Sequence, residues 1–251
     1  CVLELGGKSP CLVLEDADLA LTARRILFGK IVNAGQTCVA PDYVLVQKSV
    51  HDAFLAALKT EYARLCPNNP LTDANAHYPR IVNQKHFDRL RNLMQGDIVQ
   101  GGGFDVDNLR IAPTVIDLKS ADHPAMQEEI FGPILPVLPA DSLDDMICFV
   151  REGNKPLALY LFTRDKDAMR RVEKELSFGG GCINDTLLHL ANDHLPFGGV
   201  GTSGMGSYHG RQSFETFTHR KSILNKGLRP DIKLRYMPFT KAKFRLLRRF
   251  F

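Results

Sequence analysis

Short runs of apolar residues alternate with stretches of helical periodicity along most of this chain. The apolar runs are largely continuous, which is typical of strands that are covered on both faces. The predicted strands span residues 11–14, 43–47, 113–116, 134–138 and 158–163. Because strands and helices alternate, we expect an α/β fold in which a mostly parallel sheet carries helices on both faces.

The helical stretches have recognisable ends. Periodicity predicts helices over 19–33, 84–94, 142–152 and 165–176, and a further helix after residue 49. Asp18 is expected to cap the first of these helices, with Gly35 just past its end. Ser49 is expected to cap the helix that carries Phe54 and Leu58.

Residues 179–206 are rich in glycine and predict loops, which is where α/β proteins build their sites. Residues 199–204 match the G-x-G-x-x-G dinucleotide pattern. A true fingerprint needs a strand before it and a helix after it, and the preceding Leu195-Pro-Phe is a poor strand. We therefore interpret this match as unrelated to dinucleotide binding.

Composition excludes several function classes. Of 251 residues 44% are hydrophobic, which is typical of a globular protein, and no apolar run approaches the roughly 20 residues of a membrane span. Residues 220–251 hold eleven Lys/Arg and one acid, whereas the rest of the chain holds 21 basic and 27 acidic residues. Neither cysteines nor histidines show metal-ligand spacing, so we expect no bound metal. We also expect no nucleic-acid partner.

Two residues could carry covalent chemistry. Cys38 follows a predicted helix end and precedes a strand, so a rigid turn could expose its thiol, and a nucleophile there would need a field that favours the thiolate. Glu4 lies between leucines and before paired glycines, and partial burial would raise its pKa toward that of a base. On local grounds a packed structural cysteine and a surface glutamate explain the same residues.

Two further segments are candidates. Glu128-Glu-Ile-Phe-Gly-Pro133 could offer a carboxylate to sugar hydroxyls and Phe131 to a flat ring, or it could be a charged loop with a core phenylalanine. His209 lies in the glycine-rich region and stands out among eight dispersed histidines.

Taken together, four motifs resemble those of the aldehyde dehydrogenase family, in that family's order. LELGGKSP at 3–10 resembles its glutamate signature, NAGQTC at 33–38 its cysteine signature and EEIFGP at 128–133 its cofactor-ribose motif. Residues 195–210 resemble a C-terminal signature, and TCVAPDYVL and GMGSYHG point to the class 3, fatty-aldehyde and coniferyl-aldehyde branch. The resemblance extends to about residue 223.

The resemblance implies a function and its residues. Cys38 would attack an aldehyde to form a thiohemiacetal and then a thioester, while hydride passes to NAD or NADP. Glu4 would activate the water that releases a carboxylic acid. Glu129 and Phe131 would contact the cofactor. The wall of the substrate funnel would contain Leu187, Leu190, Ala191, Phe197 and His209.

The resemblance also implies a division of the chain. Residues 1–219 would form the catalytic domain, and 220–251 a subunit-bridging strand at 220–224 followed by a basic tail. Because the chain starts at Cys1 within a motif, we expect a fragment that lacks the N-terminal cofactor domain and is inactive or weakly active alone.

We expect the protein to form a homodimer and to be located in the cytoplasm. The tail at 241–251 could bind a membrane surface weakly, or it could be solvated or packed in the dimer.

Three alternatives stay open at this point. An acylating dehydrogenase would pass the thioester to coenzyme A, although that route needs no Glu4 base. A cysteine hydrolase would need a histidine partner that the sequence does not reveal. A non-enzymatic interaction role would leave Cys38 no more reactive than the other five cysteines.

Overall fold

A computed structural model describes residues 1–72 and 77–249. Its contacts divide the chain into two units, Cys1–Phe217 and Thr218–Phe251. All four motifs lie in the first unit. The catalytic and oligomerisation roles expected of 1–219 and 220–251 remain predictions.

A seven-stranded sheet forms the centre of the first unit. The strands of the described residues are β1 (Leu3–Glu4), β2 (Pro10–Val13), β3 (Tyr43–Gln47), β4 (Asp97–Gln100), β5 (Phe104–Asp105), β6 (Arg110–Ile111), β7 (Thr114–Asp117), β8 (Ile134–Ala140), β9 (Ala158–Phe162), β10 (Gly180–Ile183) and β11 (Gly204–Met205). The sheet order is β10-β9-β2-β3-β8-β7-β4, and only β4 runs antiparallel to its neighbour. The mostly parallel sheet is confirmed, and the five predicted strands match within two residues at each end.

Helices cover both faces of this sheet, as predicted. The helices of the described residues are α1 (Leu19–Ile31), α2 (His51–Leu65), α3 (Gln84–Leu93), α4 (Pro124–Gln127), α5 (Leu143–Glu152), α6 (Lys166–Glu175), α7 (Leu188–Ala191), α8 (Gly210–Phe217) and α9 (Lys241–Leu247). In β2, Cys11 and Val13 belong to a core that also contains side chains of α1 and α2. Leu12 faces the other way, into a core built with α3, α5 and α6. This alternation follows from the twofold repeat of a strand.

Helix ends agree with the predictions within one residue except at two places. Helix α1 ends at Ile31 instead of residue 33, and Gly35, expected just past its end, lies inside the 3-10 turn Val32–Gly35. The Asp18 carboxylate accepts a hydrogen bond from the Leu21 amide (3.1 Å), which caps α1. The prediction that Ser49 caps α2 is wrong, because α2 begins after Val50 without a side-chain cap. The Ser49 hydroxyl instead donates to Glu15 Oε2 at 2.9 Å, since it lies in a 3-10 turn that precedes the helix.

The glycine-rich region is only partly loop. Its first glycines form β10 at the edge of the sheet, so the prediction of a loop there is wrong. A Cβ on Gly181 would lie 2.0 Å from the Leu159 carbonyl oxygen, so glycine allows this close strand approach. Within 199–204, a 3-10 turn at Gly201–Ser203 leads into β11, which pairs antiparallel with β1. This segment lacks the strand–helix context of a dinucleotide fingerprint, in line with our interpretation.

The second unit contains a 3-10 turn at Lys233–Arg235 and the helix α9, whose first turn is capped by the Thr240 hydroxyl (3.3 Å to the Lys243 amide). None of its described residues, 218–249, is buried. Residues 220–224 form no strand in the part of this single chain that the structure describes, so the bridging strand stays a prediction about an oligomer. Among the described residues, no helix combines the length and apolar character that crossing a membrane requires.

Candidate active site

The motif segments meet at the amino-terminal ends of three central strands. Glu4 precedes β2, Cys38 precedes β3 and Glu129 precedes β8, and these three strands run parallel as neighbours in the order β2-β3-β8. Because neighbouring parallel strands begin at the same end of the sheet, residues that are far apart in the chain converge there. Open α/β sheets usually bind ligands at the carboxyl ends of their strands, whereas this cluster lies at the amino ends.

The turn that carries Cys38 is tightly constrained. After α1, residues Asn33 and Ala34 adopt left-handed backbone angles (φ 50° and 52°), and Gly35 follows with φ 69°. A Cβ on Gly35 would lie 2.2 Å from the carbonyl oxygen of Gly132, so only glycine fits against this neighbouring segment. The Asn33 side chain also donates to the Gln36 carbonyl at 2.9 Å. These contacts explain how an irregular turn can hold a thiol in one place.

Cys38 and Glu4 are in direct contact. The Sγ atom of Cys38 lies 3.1 Å from Oε1 of Glu4, in donor–acceptor geometry. The other carboxylate oxygen, Oε2, accepts a hydrogen bond from the Tyr208 hydroxyl at 2.6 Å. Pairing of Glu4 with Gly204 in the β1–β11 ladder fixes the backbone from which the carboxylate projects. The two residues predicted to converge are therefore brought together, with Tyr208 as a third member.

The electrostatic environment differs from the expectation at both residues. Burial, the hydrogen bond to Glu4 and the negative charges of Glu4 and Glu129 together raise the pKa of the Cys38 thiol to about 12, and burial has the largest effect. The expectation of an electrostatic field that favours the thiolate is therefore wrong for this arrangement. The thiol stays neutral beside a proton acceptor. The partial burial expected of Glu4 is also wrong, because β1 lies at the surface, with Leu3 41% and Leu5 62% exposed.

Glu129 lines a separate opening, and Phe131 follows two residues later in the same segment. Oε2 of Glu129 accepts a hydrogen bond from the Gly7 amide at 3.1 Å. Burial raises the pKa of Glu129 to about 7, against the lowering effect of that amide. A cavity of about 560 Å³ is lined in part by Gly6, Gly7 and Glu129. Phe131 is 38% exposed and has left-handed φ (46°).

Of the predicted funnel residues, Phe197 and His209 are linked to the Cys38–Glu4 pair through Tyr208. Phe197 packs edge-on against Tyr208 (5.6 Å between ring centroids) and stacks on His209 (5.8 Å). Mutual backbone hydrogen bonds of 2.8 and 2.9 Å join Phe197 to Tyr208. Since Tyr208 contacts Glu4, these rings form one wall beside the carboxylate.

The remaining funnel residues lie on the loop after β10. Leu187 and Leu190 are partly buried against the same hydrophobic core as Cys38, whereas Ala191 is exposed at the end of α7. The Leu187 amide donates to the Tyr160 hydroxyl at 3.4 Å, and that hydroxyl donates to the Val39 carbonyl at 2.5 Å. Tyr160 therefore ties this loop to the residue after Cys38.

Sequence reasoning missed Tyr208 and Tyr160. Tyr208 lies inside a quoted motif beside His209, so a hydroxyl near a suspected glutamate could have been considered. Tyr160 lies in an apolar strand, where a buried phenol requires a polar partner that the sequence does not name. In residues 1–72 and 77–249, no group of three or more His, Cys, Asp or Glu side chains could hold a metal ion.

The model of the aldehyde dehydrogenase family matches residues 1–223. The chain belongs to the aldehyde dehydrogenase family. It is 52% identical to 4,4'-diaponeurosporen-aldehyde dehydrogenase of Staphylococcus aureus over 99% of this chain and 54% of that protein. It is 44% identical to the dimeric NADP-preferring aldehyde dehydrogenase of Mus musculus over 94% of this chain and 52% of that protein.

Solved structures of aldehyde dehydrogenases are also similar to this chain. A substrate-bound structure of Staphylococcus aureus AldH superimposes with a TM-score of 0.90 at 50% identity, covering 99% of this chain and 54% of that one. Other similar relatives are named as aldehyde dehydrogenase family 3 members, at 44% and 46% identity. The chain spans about half the length of the curated relatives it matches.

Proposed function

We propose that this chain supplies the catalytic half of an NAD(P)-dependent aldehyde dehydrogenase that oxidises an aldehyde to a carboxylic acid. The observation that carries this proposal is the 3.1 Å contact between the Cys38 thiol and the Glu4 carboxylate. Family membership supports the reaction class, and the contact supports the assignment of nucleophile and base.

Cys38 begins the reaction as a neutral thiol whose proton Glu4 accepts. As the proton moves to Oε1, the sulfur adds to the aldehyde carbon and forms a thiohemiacetal. The Cys38 backbone amide is a suitable donor for the developing oxyanion. Because the thiol has a high pKa, this transfer has to accompany attack on the aldehyde rather than precede it.

The residues around Glu129 fit the sugar of a dinucleotide. A half-buried carboxylate that keeps one oxygen on the Gly7 amide can offer its other oxygen to a ribose hydroxyl, and Phe131 is exposed enough to contact a ring. When bound, NAD or NADP would take up the hydride that leaves the substrate carbon.

After the thioester has formed on Cys38, the exposed Glu4 carboxyl releases the thiol proton to solvent and can act as a base again. It takes a proton from water, the hydroxide adds to the thioester carbon, and the carbon–sulfur bond breaks to release the carboxylic acid. The leaving sulfur regains its proton from Glu4. Tyr208 holds one carboxylate oxygen and so leaves the other facing the sulfur. A base at this position favours hydrolysis over transfer to coenzyme A.

Substrate and assembly complete the proposal. Leu187, Leu190, Phe197 and His209 would face an aliphatic or aromatic aldehyde, including fatty or coniferyl aldehydes. Residues 220–224 would pair between the subunits of a homodimer, and the mouse relative is named as dimeric. A cytoplasmic or membrane-peripheral location is also a proposal, the latter through the tail that contains α9.

Product analysis of the full-length protein tests the function. With hexanal or coniferaldehyde and each cofactor, we expect stoichiometric carboxylic acid and reduced cofactor, and loss of at least a thousandfold in kcat for Cys38→Ala. Cys148→Ala, at an exposed cysteine, is the matched control and should retain activity. Acyl-coenzyme A as the product, or cofactor-independent ester hydrolysis as the only activity, would contradict the proposal. This chain alone should show little or no turnover.

A further inference from the structure

The segment that carries Glu129 has no regular structure of its own. Residues 128–131 lie between α4 and β8 and belong to neither. Phe131 has a left-handed backbone (φ 46°), which is unfavourable for a residue other than glycine. Such a conformation persists only where surrounding contacts determine it, so the shape of this segment depends on the groups that hold it.

Arg89 of α3 supplies the first of these contacts. Its Nη1 lies 3.0 Å from Oε1 of Glu128 and 3.3 Å from the carbonyl oxygen of Glu129. Its Nη2 lies 2.6 Å from the carbonyl oxygen of Ile130. One planar guanidinium thus holds two consecutive carbonyls, which a single ammonium group cannot match in geometry.

An ion pair holds the same segment from the opposite side. Oδ1 of Asp42 accepts a hydrogen bond from the Ile130 amide at 2.8 Å. The Lys8 ammonium pairs with Asp42 and donates to the carbonyl oxygens of Ala125 and Glu128, each at 2.8 Å. The Asp42 side chain is only 4% exposed, so its charge depends on these partners for stabilisation.

These contacts converge on consecutive backbone groups. The carbonyls of 128, 129 and 130 and the amide of 130 are all held by Lys8, Arg89 or Asp42. Arg89 lies in α3, whereas Lys8 and Asp42 lie in the segments that lead into β2 and β3. Gly7, next to Lys8, holds the Glu129 carboxylate itself. The side chain of Glu129 is therefore fixed at both its backbone and its carboxylate.

We propose that Arg89 and the Lys8–Asp42 ion pair are positioning residues that fix the 128–131 backbone so that the Glu129 carboxylate stays directed toward the cofactor cavity. This inference rests on the cofactor role proposed for Glu129. Lys8 also lines the cavity, so the role is tested at Arg89 and Asp42, which act through the backbone of the Glu129 segment. Loosening them raises the entropic cost of binding the cofactor and leaves the Cys38–Glu4 pair in place.

Cofactor titration of the full-length protein tests this inference. Arg89→Lys keeps the charge and loses the two-carbonyl geometry, so we expect the Kd for NADH or NADPH, whichever wild type binds more tightly, to rise at least fivefold. The KM for that cofactor should rise in parallel, while kcat and the rate of Cys38 alkylation change less than twofold. Asp42→Asn should have a larger effect in the same direction.

Arg91→Lys is the matched control, because Arg91 lies on the same helix but packs over the Phe104 ring (4.3 Å) instead of the 128–131 segment. A cofactor Kd within twofold of wild type in Arg89→Lys, or an equal rise in Arg91→Lys, would overturn the inference.

Backbone amide exchange separates this inference from the proposed function. If wild type binds neither cofactor, the proposed function fails, but the contacts can still be tested. Arg89→Lys should accelerate exchange in a peptide covering 128–133, where the Ile130 amide is held by Asp42. Unchanged exchange in that peptide would overturn the positioning role on its own.

Discussion

Removing the Tyr208 hydroxyl should weaken catalysis without removing either proposed reacting group. The hydroxyl donates to Oε2 of Glu4 at 2.6 Å, and this bond, more than burial, raises the pKa of Tyr208 to about 12. The phenol therefore remains a donor at any working pH. In Tyr208→Phe the carboxylate loses the contact that directs Oε1 toward Cys38 Sγ.

The expected loss in kcat/KM follows from the type of hydrogen bond that the substitution removes. A hydrogen bond to a charged group contributes about 1.5–3 kcal/mol, and the exposure of Glu4 places this one near the lower limit. Since about 1.4 kcal/mol corresponds to a tenfold change in rate, we expect kcat/KM for the aldehyde to fall about tenfold. The KM for the cofactor should not change, because Glu129 is not involved in this contact.

Steady-state kinetics of the full-length variant measure this effect. Tyr236→Phe is the matched control, because the Tyr236 hydroxyl also donates to a carboxylate, Asp231, at 3.0 Å in the C-terminal unit. It should leave kcat/KM within twofold of wild type. A Tyr208→Phe enzyme with unaltered kcat/KM, or a control with an equal loss, would refute the reasoning that Tyr208 orients Glu4.

Three other predictions concern the cofactor loop, the turn and the tail. Because the pKa of Glu129 is about 7, its accepting carboxylate form is depleted as the pH falls, so the cofactor Kd should rise between about pH 8 and about pH 6. Glu129→Gln should abolish this dependence in titrations, and a flat wild-type profile would contradict it. Gly35→Ala should lower the free energy of unfolding by about 2 kcal/mol or more in urea titrations, because its Cβ would meet the Gly132 carbonyl at positive φ. Gly153→Ala, where φ is negative and the nearest atom would lie at 3.6 Å, is the control, and equal losses would argue against a special turn. Deletion of 241–251 should reduce co-sedimentation with anionic liposomes if α9 binds membranes through its basic and apolar side chains, and unchanged binding would exclude that role.

The fold was predictable where a buried strand appears in the sequence as a continuous run of apolar residues. Strands β2, β3, β8 and β9 are covered on both faces, so each is a continuous apolar run that can be recognised without a partner. Strand β10 was missed because glycine is selected there by the close approach of Leu159, which is a property of the neighbouring strand. The cap at Ser49 was misassigned because a 3-10 turn and Glu15 compete for its hydroxyl.

The candidate site was predictable in its members more than in its environment. Motif resemblance pointed to Cys38, Glu4, Glu129 and Phe131, whose roles remain proposals. The neutral state of the thiol could not be anticipated, since it depends on burial and on two carboxylates that approach from distant segments. Arg89 was missed for the same reason: its partners lie about 40 residues away along the chain.

Trapping the intermediate tests most directly whether Cys38 and Glu4 serve the same reacting carbon. In full-length Glu4→Gln, mixed with an aldehyde and its preferred cofactor, reduced cofactor should form more slowly than in wild type, because glutamine cannot accept the thiol proton. Its release should then stall at about one equivalent, because glutamine cannot activate water for hydrolysis of the thioester. Mass spectrometry should find the acyl group on the peptide that contains Cys38. Continued turnover at the wild-type rate, or an acyl group on any other residue, would contradict the account.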